Sequence, residues 1–190
     1  MTREEWLLSL AHLLAPDFAK IGAPLAIDLV RVSVGFPSRR GLSARNRIVG
    51  QCWSTAASEK GHHEIFVNPT VGSGLEAAAI LTHELVHSAV GVEAGHKGAF
   101  RKAALAIGLE GKMTATVPGP SLTECLNVLV AQLGEYPHAA LNPKLSGLKK
   151  QDTRLLKAQC PKCGYVVRVT RQWADMGLPT CSCGAVMVLA

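Results

Sequence analysis

The sequence predicts an α+β chain in two parts, a small sheet packed on helices followed by a short cysteine-rich module. Apolar residues recur at helical spacing across residues 75–90, which indicates a helix near the middle of the chain. Strand-like stretches at 47–53 and 64–69 come before this helix, and two cysteine pairs come near the end of the chain. We therefore expect a domain over residues 1–140, a linker over 141–153 and a second module over 154–190.

Apolar periodicity and chain breakers predict two further helices. Trp6 and the leucines that follow it have helical spacing, which indicates an amphipathic N-terminal helix that stops at Pro16. A second helix is expected over about residues 98–107, closed by Gly108.

Two pairs of residues have the spacing of a capping box. Ser73 and Glu76 stand just before the central apolar run and predict its N-terminus. Ser121 and Glu124 stand in the same relation to a later apolar run, so we expect Ser121 to cap a helix over residues 122–133.

Composition limits the class of protein. A chain of 190 residues with 48% hydrophobic content suits one moderate domain with a small appendage. No run of about 18 uninterrupted apolar residues occurs, so no membrane span and no membrane partner are expected. The N-terminal helix lacks the pattern of a signal peptide, which favours a cytoplasmic protein.

The segment from His83 to His87, His-Glu-Leu-Val-His, carries the strongest chemical signal in the chain. Residues four apart lie on one face of a helix, so these two imidazoles can share one metal ion. Glu84 projects about 100° around the helix from His83, which leaves it available as a general base towards a metal-bound water. This is the His-Glu-x-x-His arrangement of a zinc hydrolase, with Glu84 as the catalytic residue.

A catalytic zinc needs a third protein ligand beside an open position. The extended spacing of the metzincins fails, because Val90 and Glu93 occupy its glycine and final histidine positions. Gly91 is expected to end the helix, and Gly95 permits a sharp turn that returns His96 to the first two histidines. We favour His96 because imidazole suits zinc, and Glu93 remains the alternative.

The His-Glu-x-x-His motif, followed by Gly95-His96 and Phe100, resembles the SprT-like zinc metallopeptidases, which include the bacterial SprT proteins and the Spartan DNA–protein crosslink proteases. The resemblance covers about residues 25–110 well and the C-terminal module loosely. It implies a zincin-like minimal metallopeptidase domain with the motif on a central helix and a C-terminal zinc ribbon. It also implies substrates among DNA-associated proteins, with recruitment by nucleic acid. The implied zinc ligands are His83, His87 and His96, and the implied catalytic residue is Glu84.

The two cysteine pairs predict a second metal site. Cys160 and Cys163 are separated by two residues, and Cys181 and Cys183 by one, with seventeen residues between the pairs. Four thiolates close a tetrahedral site with no open position, so this zinc would be structural. The Cys-x-Cys spacing of the second pair strains a standard knuckle, and the stretch from Val166 to Trp173 between the pairs resembles a strand. Disulfides are the alternative, which a reducing cytosol disfavours.

Positive charge is concentrated towards the C-terminus. The net charge is +6, and the segment from Lys144 to Arg171 contains eight Lys/Arg but only one acid, Asp152. Such a stripe suits a nucleic-acid backbone, and Tyr165 and Trp173 could stack on unpaired bases. The alternative is a solvated basic face. The eight basic residues are Lys144, Lys149, Lys150, Arg154, Lys157, Lys162, Arg168 and Arg171.

These patterns predict a zinc-dependent metalloendopeptidase that is recruited by nucleic acid. The alternative function is a DNA-binding zinc-ribbon factor whose His-Glu-x-x-His domain is a scaffold with little or no protease activity. A basic loop with four arginines, residues 39–47, is a possible second contact to nucleic acid.

Some conspicuous residues receive no role. Cys52 and Cys125 have apolar neighbours and are expected to be inert core residues. The His62-His63 pair lies in a polar turn, where exposure is favoured over metal binding. Tyr136 and His138 could stabilise an oxyanion, but a helix-ending turn is the favoured interpretation and neither is assigned to the site.

Overall fold

A computed structural model describes residues 1–43, 45–145 and 155–190. The chain divides into two compact units, Met1–Leu145 and Ser146–Ala190. Leu141 belongs to the first unit, where its N–H donates to the Pro69 carbonyl at 2.8 Å. The part of the expected linker from residue 146 onwards lies outside the described residues.

The first unit combines a three-stranded sheet, a hairpin and four helices, which confirms the predicted α+β class. Its elements, in chain order, are α1 (Arg3–Lys20), β1 (Val30–Val34), β2 (Gly50–Trp53), β3 (His63–Val67), α2 (Gly74–Val90), α3 (Gly98–Ala106), β4 (Leu109–Lys112), β5 (Ala115–Pro118) and α4 (Pro120–Leu133).

The sheet has the order β1-β3-β2. The central strand β3 pairs parallel with β1 and antiparallel with β2, so β2 lies at an edge. Alternate residues on these strands are buried, among them Val30 and Val32 on β1 and Ile65 and Val67 on β3. This alternation follows from the period of two in a strand and turns one face of the sheet towards the helices.

Helix α2 is the centre of the first unit. It packs against α1, α3 and α4 and against strands β2 and β3. Ser73 is its N-cap, as predicted, and Gly91, in the left-handed region at φ 88°, ends it. Leu81 and Leu85 are fully buried, and burial of each stabilises the fold by about 1.5–3 kcal/mol. The packing around α2 therefore holds the middle of this helix, where the predicted metal motif lies, in a fixed position.

The predicted stop of the first helix at Pro16 is wrong, because α1 continues to Lys20. A proline inside a helix costs about 3 kcal/mol, since it removes one backbone hydrogen bond and crowds the preceding turn. Leu14 and Phe18 flank Pro16 and are both fully buried, which contributes about 1.5–3 kcal/mol for each side chain. Tertiary packing therefore offsets the cost of the proline.

The predicted cap of the last helix in this unit is also wrong. Gly119 is the N-cap of α4 and Pro120 occupies the first turn, so Ser121 lies inside the helix. The fixed φ of proline suits the first helical position, where its missing N–H costs nothing.

The second unit has a three-stranded sheet of order β7-β6-β8, formed by β6 (Leu156–Gln159), β7 (Val166–Val169) and β8 (Val188–Leu189). Strand β6 pairs antiparallel with both neighbours. A short helix, α5 (Arg171–Met176), contains Trp173, so the strand predicted to reach this residue ends earlier, at Val169. The Thr170 hydroxyl caps α5, which explains the change from strand to helix at this point.

No helix in the described part of the chain is long and apolar enough to cross a bilayer.

Candidate metal centres

Helix α2 brings His83 and His87 to one face, one turn apart. His87 is buried and His83 is half-buried, and their ring centroids lie 5.3 Å apart. Both residues lie well inside the helix, which runs from Gly74 to Val90. The spacing of the two rings is therefore set by helix geometry rather than by a loop.

Two glycines return the chain to these histidines after α2 ends. Gly91 and Gly95 both have positive φ, at 88° and 55°, where a side chain would be strained. They flank a short turn, Val92–Ala94, and bring His96 back over the helix. Nε2 of His96 lies 3.2 Å from Nε2 of His83 and 3.2 Å from Nε2 of His87.

The structure joins His96, and not Glu93, to the other two histidines. The ligand atoms of His83, His87 and His96 lie within 4.8 Å of one another. Glu93 is exposed, and its carboxylate folds back against Gly91.

His83, His87 and His96 together form the histidine cluster. Phe100 packs beneath it as an apolar floor. Its ring is fully buried and its centroid lies 5.0, 4.3 and 4.9 Å from those of the three imidazoles, in that order. Because Phe100 belongs to α3, the second helix fixes the orientation of rings that belong to the first helix and the turn. The same contacts remove water from one side of the cluster.

The histidines stay neutral at ordinary pH. Burial, together with a smaller effect of the neighbouring imidazoles, lowers the pKa of His83 to about 4 and that of His87 to about 3. Burial also lowers the pKa of His96. Neutral rings each keep one nitrogen lone pair, which is the form that binds a metal.

The nitrogen spacing fits a tetrahedral ion. Zinc–nitrogen bonds of about 2.05 Å separate tetrahedral ligands by about 3.3 Å. The distances from Nε2 of His96 to Nε2 of the other two histidines, both 3.2 Å, agree with this separation between ligand atoms. His83 and His96 are half-buried, so the cluster is open to solvent on their side. Three imidazoles with one open side are the donor set of a catalytic rather than a structural zinc.

Glu84 points away from the histidines' face towards the edge strand β2. Its side chain is 6% exposed, and burial raises its pKa to about 8, against a hydrogen bond from the Cys52 backbone that lowers it. A cation at the nearby imidazoles would favour the ionised carboxylate and lower this pKa.

A glycine leaves space for the Glu84 carboxylate. An added Cβ at Gly50, the first residue of β2, would lie 2.5 Å from Oε1 of Glu84 and 2.7 Å from Cγ2 of Ile80. Real Cβ atoms do not approach other atoms this closely, so any side chain at this position would move the carboxylate.

The second candidate centre is the cysteine cluster, formed by Cys160, Cys163, Cys181 and Cys183. The Sγ atoms of Cys160 and Cys183 are 3.4 Å apart, those of Cys163 and Cys181 are 3.5 Å apart, and all four lie within 4.8 Å. Sulfur atoms bonded to one tetrahedral zinc lie about 3.8 Å apart, whereas a disulfide bond measures about 2.0 Å. The four thiols are free, so the geometry agrees with a metal site and not with disulfides.

The two cysteine turns differ by one residue but present their sulfurs alike. In the first turn the N–H of Gly164 donates to the Cys160 carbonyl at 3.0 Å, and in the second the N–H of Gly184 donates to the Cys181 carbonyl at 2.8 Å. Both glycines have positive φ, at 78° and 81°. The Cys-x-Cys turn is therefore a tighter version of the Cys-x-x-Cys turn.

Backbone donors support the charged form of the first thiol. The N–H of Cys163 lies 3.4 Å from Sγ of Cys160. This hydrogen bond, together with those of the Lys162 backbone and the neighbouring thiols, lowers the pKa of Cys160 to about 6, against burial, which raises it. A thiolate is the form that binds zinc, so this turn prepares one ligand before any ion arrives.

Several conspicuous residues stay outside both clusters. Tyr136 packs on Trp6 with ring centroids 5.0 Å apart, and His138 bonds to Arg3 and to the Pro69 carbonyl. These contacts tie the end of the first unit to α1 and to the loop after β3. Among the described residues, His138 joins no metal-binding group, and the ring contacts of Tyr136 are with Trp6 and His138.

The cysteines and histidines to which no role was assigned differ in how deeply they are buried. Cys52 is buried, as predicted, and burial raises its pKa to about 12. Cys125 is only half-buried and lies near Asp17 and Lys20, so its expected place in the core is wrong. The His62-His63 pair is half-buried and joins no metal-binding group among the described residues.

The structure describes only part of the predicted basic segment, which runs from Lys144 to Arg171. Arg168 and Arg171 are exposed, and Tyr165 and Trp173 are 61% and 57% exposed. Lys149, Lys150, Asp152 and Arg154 lie outside the described residues. In the other predicted basic region, the four arginines are exposed. They are Arg39, Arg40, Arg45 and Arg47.

No protein-family model matches the chain, and comparisons with curated proteins and with solved structures give no match either. The function therefore has to be inferred from the two clusters themselves.

Two residues that are remote in sequence contact the site, and no pattern in the sequence predicted either of them. Gly50 lies 34 positions before Glu84, and Thr116 lies 33 positions after His83 and contacts it at 2.8 Å. No local pattern connects either residue with the motif, because strand pairing and helix packing bring them there.

We predict that Gly50→Ala moves the Glu84 carboxylate and lowers the free energy of unfolding by about 1–3 kcal/mol, the cost of overpacking. A crystal structure of the variant and urea unfolding measure the two effects. Gly35→Ala is the control, since an added Cβ there lies 3.1 Å from the ring edge of Phe66 and not from Glu84. An unmoved carboxylate in Gly50→Ala would contradict the prediction.

We predict that the intact protein binds two divalent metal ions, one at each cluster. His87→Ala and Cys160→Ser should each lower the metal content from two ions to about one per chain, since a missing ligand leaves each site incomplete. Elemental analysis of the purified, dialysed variants measures this, and Cys125→Ser, which changes a cysteine outside the cluster, should keep both ions. Unchanged metal content in either ligand variant would exclude that cluster as a metal site.

Proposed function

We propose that the chain is a zinc-dependent metalloendopeptidase of the His-Glu-x-x-His type. The observation that carries the proposal is the convergence of three neutral imidazoles, two of them on the helix that also bears the buried Glu84. His83, His87 and His96 would hold zinc, and the solvent-facing side would leave the fourth position open. A zincin-like fold for the first unit and a zinc ribbon for the second are parts of this proposal.

Glu84 is the proposed general base. Zinc, when bound, acidifies a water molecule and polarises a substrate carbonyl. Glu84 would accept the proton of the attacking water and pass it to the departing amine. Its burial between α2 and β2 limits the positions open to the carboxylate, so the proton acceptor is held in place before substrate binds.

The edge strand β2 suits an extended substrate. Among the described strands β2 pairs only with β3, so its outer edge carries no partner strand, although the Cys52 N–H bonds to Glu84. An extended peptide can add to such an edge through main-chain hydrogen bonds. Because Gly50 of β2 lies against Glu84, a peptide on this edge would pass close to the general base.

Recruitment by nucleic acid is proposed for the second part of the chain. Residues 146–190 contain seven Lys/Arg and two Asp, a net charge of +5, which is most of the +6 of the whole chain. Such a concentration of charge favours a polyanion, with binding that weakens as salt rises. The exposed rings of Tyr165 and Trp173 add surfaces on which unpaired bases could stack. Proteins bound to DNA are thus the proposed substrates.

The same charge distribution supports the second candidate function, a DNA-binding zinc-ribbon factor whose first unit has little or no protease activity. The two candidates differ in one respect only, whether Glu84 and the histidine cluster perform hydrolysis.

We predict that Glu84→Gln keeps the metal content of the wild type but lowers peptide cleavage at least 100-fold, because an amide cannot accept the proton. The assay incubates the full chain with a DNA-binding protein, with and without single-stranded DNA and with and without a chelator. Glu93→Gln, which alters an exposed carboxylate beside the cluster, is the control and should cleave like the wild type.

Two outcomes would contradict the assignment. Full cleavage by Glu84→Gln would remove Glu84 from the mechanism. Binding of DNA by the wild type, without cleavage in any condition, would favour the DNA-binding factor.

A further inference from the structure

A hydroxyl group from the β4–β5 hairpin contacts the first histidine of the motif. Thr116, in the middle of β5, has its Oγ1 atom 2.8 Å from Nδ1 of His83. The hairpin is regular, with Thr116 opposite Gly111, and β5 packs against α2. The position of the hydroxyl is therefore set by strand pairing rather than by a free loop.

The remaining Nδ1 atoms have no such partner. Nδ1 of His87 is buried without a hydrogen bond, and its ring is instead held by Phe100, whose centroid lies 4.3 Å away at an interplanar angle of 33°. No hydrogen bond joins Nδ1 of His96 to any of the described residues. Thr116 is thus the one side chain, in the described part of the chain, that bonds to the outward nitrogen of a histidine in the cluster.

The hydrogen bond between Thr116 and His83 matters because it selects one tautomer of the His83 ring. Nε2 of His96 faces Nε2 of both His83 and His87, so a cation shared by the three rings needs each Nε2 to carry a lone pair. A neutral imidazole with a free Nε2 has its proton on Nδ1. In His83 that proton points at Thr116 Oγ1, which can accept it at a normal hydrogen-bond distance.

We propose that Thr116 is a positioning residue for the metal site, which accepts a hydrogen bond from Nδ1–H of His83 and so holds its Nε2 ready for the ion. Partners of this kind fix ring orientation and raise ligand basicity, and their loss weakens metal binding by about 10- to 100-fold. The inference rests on the proposed function, since it requires a metal at the histidine cluster.

The test compares the metal affinity of Thr116→Val, which keeps the shape and removes the hydroxyl, with Thr116→Ser, which keeps the hydroxyl. The probe is cobalt(II), followed by competition with zinc, because thiolate charge-transfer bands report the cysteine cluster separately from the histidine cluster. We expect about 10- to 100-fold weaker binding at the histidine cluster in Thr116→Val. Thr116→Ser should bind the metal at the histidine cluster with the affinity of the wild type. Thr123→Val is the matched control, since its hydroxyl bonds to the Pro118 carbonyl near the same hairpin and not to a histidine.

A second measurement uses the unaltered sequence. Long-range proton–nitrogen correlation spectra of the metal-free wild type should find the His83 proton on Nδ1, and a proton on Nε2 would overturn the proposal. Equal affinity of Thr116→Val and wild type would overturn it as well, while leaving the proposed function intact. A wild-type histidine cluster that binds neither ion would overturn the proposed function and this inference together.

Discussion

The candidate site of the first unit depends on one constraint, the convergence of three imidazole rings from α2 and the turn that follows it. Burial keeps the rings neutral, so each ring carries one N–H proton and one nitrogen lone pair, and Nε2 of His96 lies 3.2 Å from Nε2 of both His83 and His87. A divalent cation shared by the three rings would bind the lone pair of each Nε2. The glycine turn after α2 and the Phe100 floor have their clearest explanation in this arrangement, because both serve to bring His96 into contact with the helix.

The two clusters offer donor sets that suit two different kinds of metal site within one chain. Three nitrogen donors with a solvent-facing side suit an ion that takes part in a reaction, whereas four sulfur donors leave no position for a substrate. The charge follows the same division, since residues 146–190 carry a net +5 and the first 145 residues carry thirteen basic and twelve acidic side chains. Hydrolysis in the first unit and polyanion binding in the second are thus compatible functions that need different parts of the sequence.

Features encoded by neighbouring residues could be predicted from the sequence, and features created by packing could not. The helix that carries His83 and His87, its Ser73 cap and its end at Gly91 all follow from local patterns. Pro16 failed as a stop signal because the burial of Leu14 and Phe18 offsets its cost, and Ser121 failed as a cap because Pro120 takes the first helical turn. Gly50 and Thr116 reach the site only through the sheet and the hairpin, so one sequence contains no signal for them.

Anomalous X-ray scattering at the zinc edge, from crystals of the full chain grown with zinc, would show whether the three histidines hold one ion. We expect a peak bonded to Nε2 of His83, His87 and His96 at about 2.0–2.1 Å, with a fourth position held by solvent. A histidine cluster without a peak, or a peak bound by Glu93 in place of His96, would contradict this expectation.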